Sequence, residues 1–348
     1  MIDIKKLEFG IETFGDIVAN EDGSPKTAGE SIQQIVKEAK LADKLNIDVI
    51  GIGEHHRPDY SVSAPEMVLS AIATITKKIK LATAVTVLSS DDPVRVYERF
   101  ATLEAISNGR SQAILGRGSF TESFPLFGYD LSDYEALFDE KIELYSRLLE
   151  EKTIDWSGKF TQNLTHQEVY PKTDYDGIET YVGVGGSPES IVRAAKYGFK
   201  VIIAIISGRP TRFKSYVDLY HNATKRFGTP NYPIGVHSHG FISNDSKSVN
   251  EIAFKNFKIN FDNIGKTRGW VPMERTYFDQ EVRDGSFYVG NPHNVAVKIA
   301  KTINNLGLGR FDLVYGAGNQ TAIQREETIE LYATKVIPEV KKILSAKY

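Results

Sequence analysis

The chain has 348 residues, 41% hydrophobic and 25% charged, with a formal net charge of −3. That length holds either one α/β barrel or two smaller domains, and the small, well-mixed charge leaves no electrostatic footprint for nucleic acid or an anionic membrane. There are no cysteines, which removes disulfides, thiolate metal sites and a cysteine nucleophile together. No apolar run approaches the roughly 18 residues needed to span a bilayer. The opening MIDIKKLEFG lacks the apolar core of a signal peptide, so a cytoplasmic protein is expected.

Strand-like and helix-like segments alternate along the chain. LEFGIET (7–13) reads as a strand, 29–46 as a helix, VIGIGEH (49–55) as the second strand and 64–78 as its helix. IKLATAVTV (79–87) is the third strand. The helix after it opens with Asp92 as N-cap and Pro93 at the first helical position, and stops at Gly109. RSQAILGRG (110–118) is the fourth strand and 133–151 the fourth helix. TYVGVGG (180–186), a helix from Pro188 to Tyr197, KVIIAII (200–206) and a helix near 211–227 follow. IGVHSHGF (234–241), RFDLVYGAG (310–318) and a last helix over roughly 321–345 complete the series.

Eight alternations with nearly continuous apolar strands imply a parallel sheet covered by helices, and at this length it closes into a (β/α)8 TIM barrel with insertions. A doubly wound open sheet is the alternative. It usually carries a phosphate loop after its first strand, and TFGDIVANEDG is no such loop. No linker interrupts the chain, so residues 1–348 are expected to form one domain.

Two stretches break the rhythm. Residues 151–178 suggest a hairpin, with TIDW and KFTQ around Ser157-Gly158, and roughly 260–290 carry Lys266, Arg268, Arg275 and Arg283 beside Trp270. The first suits edge packing or a functional loop, the second a lid over a charged ligand or a solvated loop.

In such a barrel, polar groups at strand C-terminal ends form the site. Here those ends carry Glu54-His55-His56-Arg57, Thr86 to Ser90, GRGSFTESF with Arg117, GVGGSPES, VHSHG and GAGNQT. After the fifth strand, Gly185 and Gly186 form a turn, Ser187 is the N-cap and Pro188 the first helical residue, with Ser190 one turn on. Free N–H groups, two hydroxyls and the positive helix end would suit a phosphate. An ordinary Ser-Pro helix start has the same sequence. Arg117 either clamps that phosphate or forms a surface ion pair.

His55 and His56 are adjacent on extended backbone, so they point to opposite faces and make poor partners on one metal. His237 and His239 do share a face, with metal-ligand spacing. A metal-dependent hydrolase is therefore a rival reading, although its His-x-His pair would normally end the first strand.

GIGEHH ending the second strand, then LATAVTVLSSDDPVRVYERFATLEAISNGRSQAILGRG, then YVGVGGSPESIVRAAKYG, resembles the bacterial luciferase-like flavin monooxygenases over essentially the whole chain. The resemblance implies FMN, or the deazaflavin F420, at the strand C-terminal ends. It implies that His55 is the active-site histidine near the reactive edge of the ring and that Glu54 orients the site. It places Ala84 and Val85 where relatives carry a non-prolyl cis peptide under the ring. Arg117, Ser187 and Ser190 fall at phosphate-binding positions, with Gly185 and Gly186 allowing close backbone approach. The light-emitting members carry a cysteine just before the fourth-strand arginine. Gly116 stands there in this chain, which leaves bioluminescence unsupported. The implied reaction uses reduced FMN, delivered by a separate flavin reductase, and O2 to oxidise a small organic substrate, in a homodimer joined through helices after the early strands. A non-catalytic flavin store is the alternative from another class, and a placed histidine argues against it.

Overall fold

The computed structural model describes residues 3–346. In chain order its strands are β1 (Glu8–Thr13), β2 (Val49–Ile52), β3 (Lys80–Thr83), β4 (Thr86–Val87), β5 (Ser111–Gly116), β6 (Ile154–Trp156), β7 (Leu164–Gln167), β8 (Glu179–Val184), β9 (Lys200–Ala204), β10 (Gly235–Ile242), β11 (Tyr288–Gly290) and β12 (Arg310–Val314). The helices are α1 (Ala28–Lys44), α2 (Pro65–Ile75), α3 (Pro93–Ser107), α4 (Ser123–Leu126), α5 (Tyr134–Leu148), α6 (Pro188–Lys196), α7 (Lys214–Phe227), α8 (Val249–Arg268), α9 (Arg275–Arg283), α10 (Pro292–Leu306), α11 (Ala322–Leu331) and α12 (Ile337–Ser345).

Eight strands pair in parallel and close a barrel in the order β1, β2, β3, β5, β8, β9, β10, β12. The closing register sets Phe9 opposite Phe311 and Ile11 opposite Leu313. β4 extends the pairing of β5, and β11 adds to the upper end of β10. Because side chains alternate along a strand, Phe9, Ile11, Ile50, Leu81 and Leu313 pack outward against the helices in the main core. Val49, Ala82, Ile114, Tyr181 and Ile202 meet inside the barrel.

Local chemistry accounts for the helix ends. Asp92 accepts hydrogen bonds from Val94 N (2.8 Å) and Arg95 N (3.2 Å), with Pro93 at the first position. That helix ends one residue earlier than Gly109, because Asn108 itself takes the left-handed conformation at φ 57°. Thr27 and Glu30 form a reciprocal capping box on α1.

Several sequence readings change: the 79–87 strand divides into β3 and β4, and the 321–345 helix into α11 and α12. The 151–178 excursion does contain a hairpin, but its second strand is Leu164–Gln167 rather than KFTQ. Glu140 explains the difference: its carboxylate accepts from the backbone N–H groups of Lys159, Phe160 and Thr161 at 2.7, 2.9 and 2.9 Å, holding that segment as a loop. The 260–290 stretch is largely helical, formed by the end of α8 and by α9, and rests on a satellite core of Phe241, Phe257, Met273, Phe278 and Phe287. α10 adds a helix that the sequence reading lacks, capped by Asn291 and ended by Gly307 at φ 68°.

Candidate active site

Four of the residues facing the upper barrel interior are small: Ala84, Gly116, Gly183 and Ala204. Where a barrel interior is normally filled by branched side chains, these leave a cavity of about 500 Å³ at the strand C-terminal ends. Its walls gather Phe14, His55, Tyr60, Phe120, His237 and His239, and its floor includes Ala84 and Val85, whose peptide bond is cis. Val85 fits between two glycines: a Cβ on Gly116 would lie 2.3 Å from Val85 Cγ2, and one on Gly183 2.7 Å from Val85 Cγ1.

His55 and His56 part as their extended backbone requires. His55 enters the cavity; its Nδ1 lies 3.0 Å from the Phe14 carbonyl, which only accepts, so Nδ1 carries the proton and Nε2 keeps a free lone pair. The ring stacks on Tyr60 at 4.1 Å with Phe120 edge-on at 4.7 Å. Burial drives its pKa down to about 3, against the opposing Phe14 bond, and so it is neutral at physiological pH. His56 turns away to Glu54 Oε1 at 3.0 Å. The other Glu54 oxygen accepts from Val87 N at 2.8 Å, so this carboxylate holds the segment that follows the cavity floor.

The anion-site candidates gather at one rim. Gly185 and Gly186 face open space: among the described residues no atom would lie within 4 Å of a Cβ at either position. Ser187 occupies the N-cap position of α6, but its hydroxyl donates to the Glu189 carboxylate at 2.7 Å and accepts from no N–H of the first turn, leaving those groups free of that cap. Arg117 reaches the cavity and pairs with Glu135, which also takes a 2.8 Å bond from Arg193. Arg193 Nη1 is buried with no partner among the described residues. Ser190 is 2% exposed beneath the turn and is not part of the cavity wall.

Sequence reasoning missed Glu12, which is fully buried and bonded to His237 Nδ1 at the base of the cavity. The period of two places Glu12 inside the barrel, and that signal was available. His237 and His239 do share the cavity face, yet among the described residues no three His, Asp or Glu side chains are arranged to hold a metal ion. Of the cations at 266–283, only Arg268 lines the cavity, lying over Phe120 and Trp270 at 4.4 and 5.3 Å. A second chamber of about 470 Å³ opens beyond Ile206, Phe261 and Trp270, walled by Val271, Met273 and Tyr277. The larger hollow of about 820 Å³ outside the barrel, between α9 and α10, has a different character. Its Lys298 donates to the carbonyls of Glu281, Val282 and Phe287 at 2.9, 2.7 and 2.8 Å, tying α9 to α10.

The chain is 24% identical over 371 residues to the alkanal monooxygenase alpha chain of Photorhabdus laumondii, covering 94% of this chain and 98% of that one. Among solved structures, the oxygenating constituent of 3,6-diketocamphane monooxygenase from Pseudomonas putida, in complex with FMN, superposes with a TM-score of 0.79 at 18% identity over 98% of this chain and 99% of its own. An F420-dependent secondary alcohol dehydrogenase in complex with an F420-acetone adduct gives 0.74 at 17% identity over 96% and 99%. Both share the fold. A family model for luciferase-like monooxygenases matches residues 12–299, which include every cavity residue described above, and the chain belongs to that family.

Proposed function

We propose that this chain is a flavin-dependent monooxygenase that uses reduced FMN and dioxygen to oxidise a small apolar organic molecule. The observation that carries the reading is one cavity combining an apolar floor, a neutral imidazole acceptor and a cationic rim beside an open glycine turn. The residues present fit FMN. Val85, seated between Gly116 and Gly183, offers a surface for the ring, while Ser187, the Gly185–Gly186 turn and Arg117 would hold the phosphate. Glu135 is an anion already held between Arg117 and Arg193, so a phosphate would exchange for that carboxylate.

When bound, the flavin supplies the electrons that activate dioxygen. The chain's own residues do the rest. His55, fixed by the Phe14 carbonyl and stacked on Tyr60, presents Nε2 as a hydrogen-bond acceptor. Glu54 fixes the segment after the floor, and Phe14, Phe120 and Trp270 exclude water. The chamber past Trp270 is walled mainly by apolar side chains, which supports an apolar substrate. A separate reductase as the source of reduced flavin belongs to the same reading. So does a homodimer through α2 and α3, whose Met67, Ile75 and Ile106 are exposed. Among the described residues no helix is long and apolar enough to cross a membrane.

The test is the chromophore that co-purifies, followed by dioxygen consumption with reduced FMN. FMN with turnover supports the reading, F420 moves the chain to deazaflavin chemistry, and flavin without turnover makes it a store. Arg117→Ala should weaken FMN roughly 10- to 100-fold, the range for a lost charged hydrogen bond, and leave riboflavin binding nearly unchanged. Equal losses for the two ligands would contradict the phosphate assignment.

A further inference from the structure

We propose that His237 is a second functional imidazole of the cavity: paired through Nδ1 with Glu12, it presents Nε2–H to the bound flavin and dioxygen and delivers the proton that oxygenation consumes. The inference rests on the flavin monooxygenase reading.

The need for such a group follows from His55. Its only proton is committed to the Phe14 carbonyl, so its cavity-facing nitrogen accepts and does not donate. The reaction nevertheless consumes a proton. Reduced flavin enters as its anion, and dioxygen takes four electrons, two from the flavin and two from the substrate. One oxygen atom ends on the substrate and the other in water; the flavin brings one hydrogen of that water, and a proton must supply the other.

His237 is built to supply it. Its Nδ1 is occupied by Glu12, and no described protein group bonds Nε2, while the ring forms part of the cavity wall. The charges below it ask for a cation. Glu12 and Asp312 are both 0% exposed, and Arg310, 2% exposed, donates to Asp312 at 2.8 and 2.9 Å. Two buried carboxylates against one guanidinium leave one negative charge uncompensated, and an imidazolium at His237 closes the balance.

The surroundings of the three cavity imidazoles differ accordingly. Burial lowers the proton affinity of His237, but the Glu12 charge and hydrogen bond outweigh it and raise the pKa above the ordinary value. Asp312 on β12 acts in the same direction, while Arg310 on β12 opposes it. Ala204 on the neighbouring β9 adds no charge. On the same strand, His239 is driven by burial and by His237 down to about 4. His55, across Phe14, lies at about 3. The competing resting place for the proton is Asp312, which burial pushes up to about 7.

The test uses the full chain without flavin, labelled with 15N-histidine, with His237→Gln assigning the signal. A cationic His237 at pH 7, whose titration midpoint falls by a unit or more in Glu12→Gln, supports the inference. A neutral His237 at pH 7 overturns it, because the imidazole then holds no extra proton to deliver. The wild-type spectrum decides this even if Glu12→Gln does not fold. With reduced FMN, His237→Gln should lower dioxygen-dependent product formation on the order of 100-fold at pH 8. Much of that loss should be recovered at pH 6, where solvent supplies the proton. A loss independent of pH would make His237 structural and overturn the role. If FMN fails to bind at all, the flavin reading falls while the spectrum still reports whether His237 carries the proton.

Discussion

His55, His237 and His239 surround the Phe14 ring at centroid distances of 5.7, 5.8 and 5.8 Å, and burial acts on all three, yet among the described residues only His237 is bonded to a carboxylate. At His239 burial meets the least opposition, the Glu12 charge alone: among the described residues its Nδ1 has no hydrogen-bond partner, and its other ring neighbours are Phe257, Phe261 and Phe287. Its folded pKa of about 4 lies below the ordinary 6.5. The unfolded chain therefore binds the proton first, and this contribution to stability is complete above about pH 6.5 and is lost as the pH falls toward 4. His55 acts with the same sign down to about 3, whereas Asp16 and Asp312, raised to about 6 and about 7, act with the opposite sign. These groups offset one another in the wild-type profile, so a difference measurement is needed. His239→Phe leaves no hydrogen bond broken. It should lose less stability than the wild type between pH 7 and pH 5, by about 2 kcal/mol at about 1.4 kcal/mol per pH unit. Parallel urea-unfolding profiles at the two pH values would show that His239 is not held neutral.

Among the elements, the segment between β3 and β4 sets the shape of the site. The Val85 side chain occupies the space that Gly116 of β5 and Gly183 of β8 leave empty, and it can do so only while both positions lack a Cβ. Gly116→Ala should destabilise the fold by about 1–3 kcal/mol, the usual cost of overpacking, and displace the cavity floor so that FMN binds less tightly. Adding Val85→Ala should restore most of the stability, because it removes the atoms the new methyl group strikes. A double variant no better than Gly116→Ala, by denaturant unfolding, would mean that the glycine serves its own backbone rather than Val85. The same contrast separates what was legible at this scale from what was not. The eight barrel strands stand out because both faces are covered and their sequences run apolar. α8 and α9 did not stand out: their apolar side chains rest on Phe241 and Phe287, which belong to other segments, while Trp270, Pro272 and four cations give the stretch the look of a loop.

Over the whole molecule, the fold was legible in the alternation of strands and helices, and His55 and Arg117 were legible because each ends a strand beside a turn. The buried ionic pairs were not, because their partners are far apart in the chain. Glu12 meets His237 across 225 residues, and Glu38 meets Arg325 across 287, so either partner alone looks like a surface charge that happens to fall on an inward position. The second pair lies where the barrel closes between β1 and β12. Arg325 on α11 is 1% exposed and donates to both Glu38 oxygens at 2.8 Å, with a further bond to Thr13, and Tyr315 donates to Glu38 at 2.7 Å. It therefore ties α1 and β1 to α11 across the closing seam. Arg325→Met should destabilise the protein by about 3–5 kcal/mol, because it strands the Glu38 carboxylate in a dry interior. Removing that charge too, with Glu38→Met, should recover most of the loss and leave mainly the Tyr315 hydroxyl without an acceptor. Denaturant unfolding of the three variants checks this. A loss below about 1 kcal/mol for Arg325→Met would mean that water reaches Glu38 and that the seam is held by apolar packing alone.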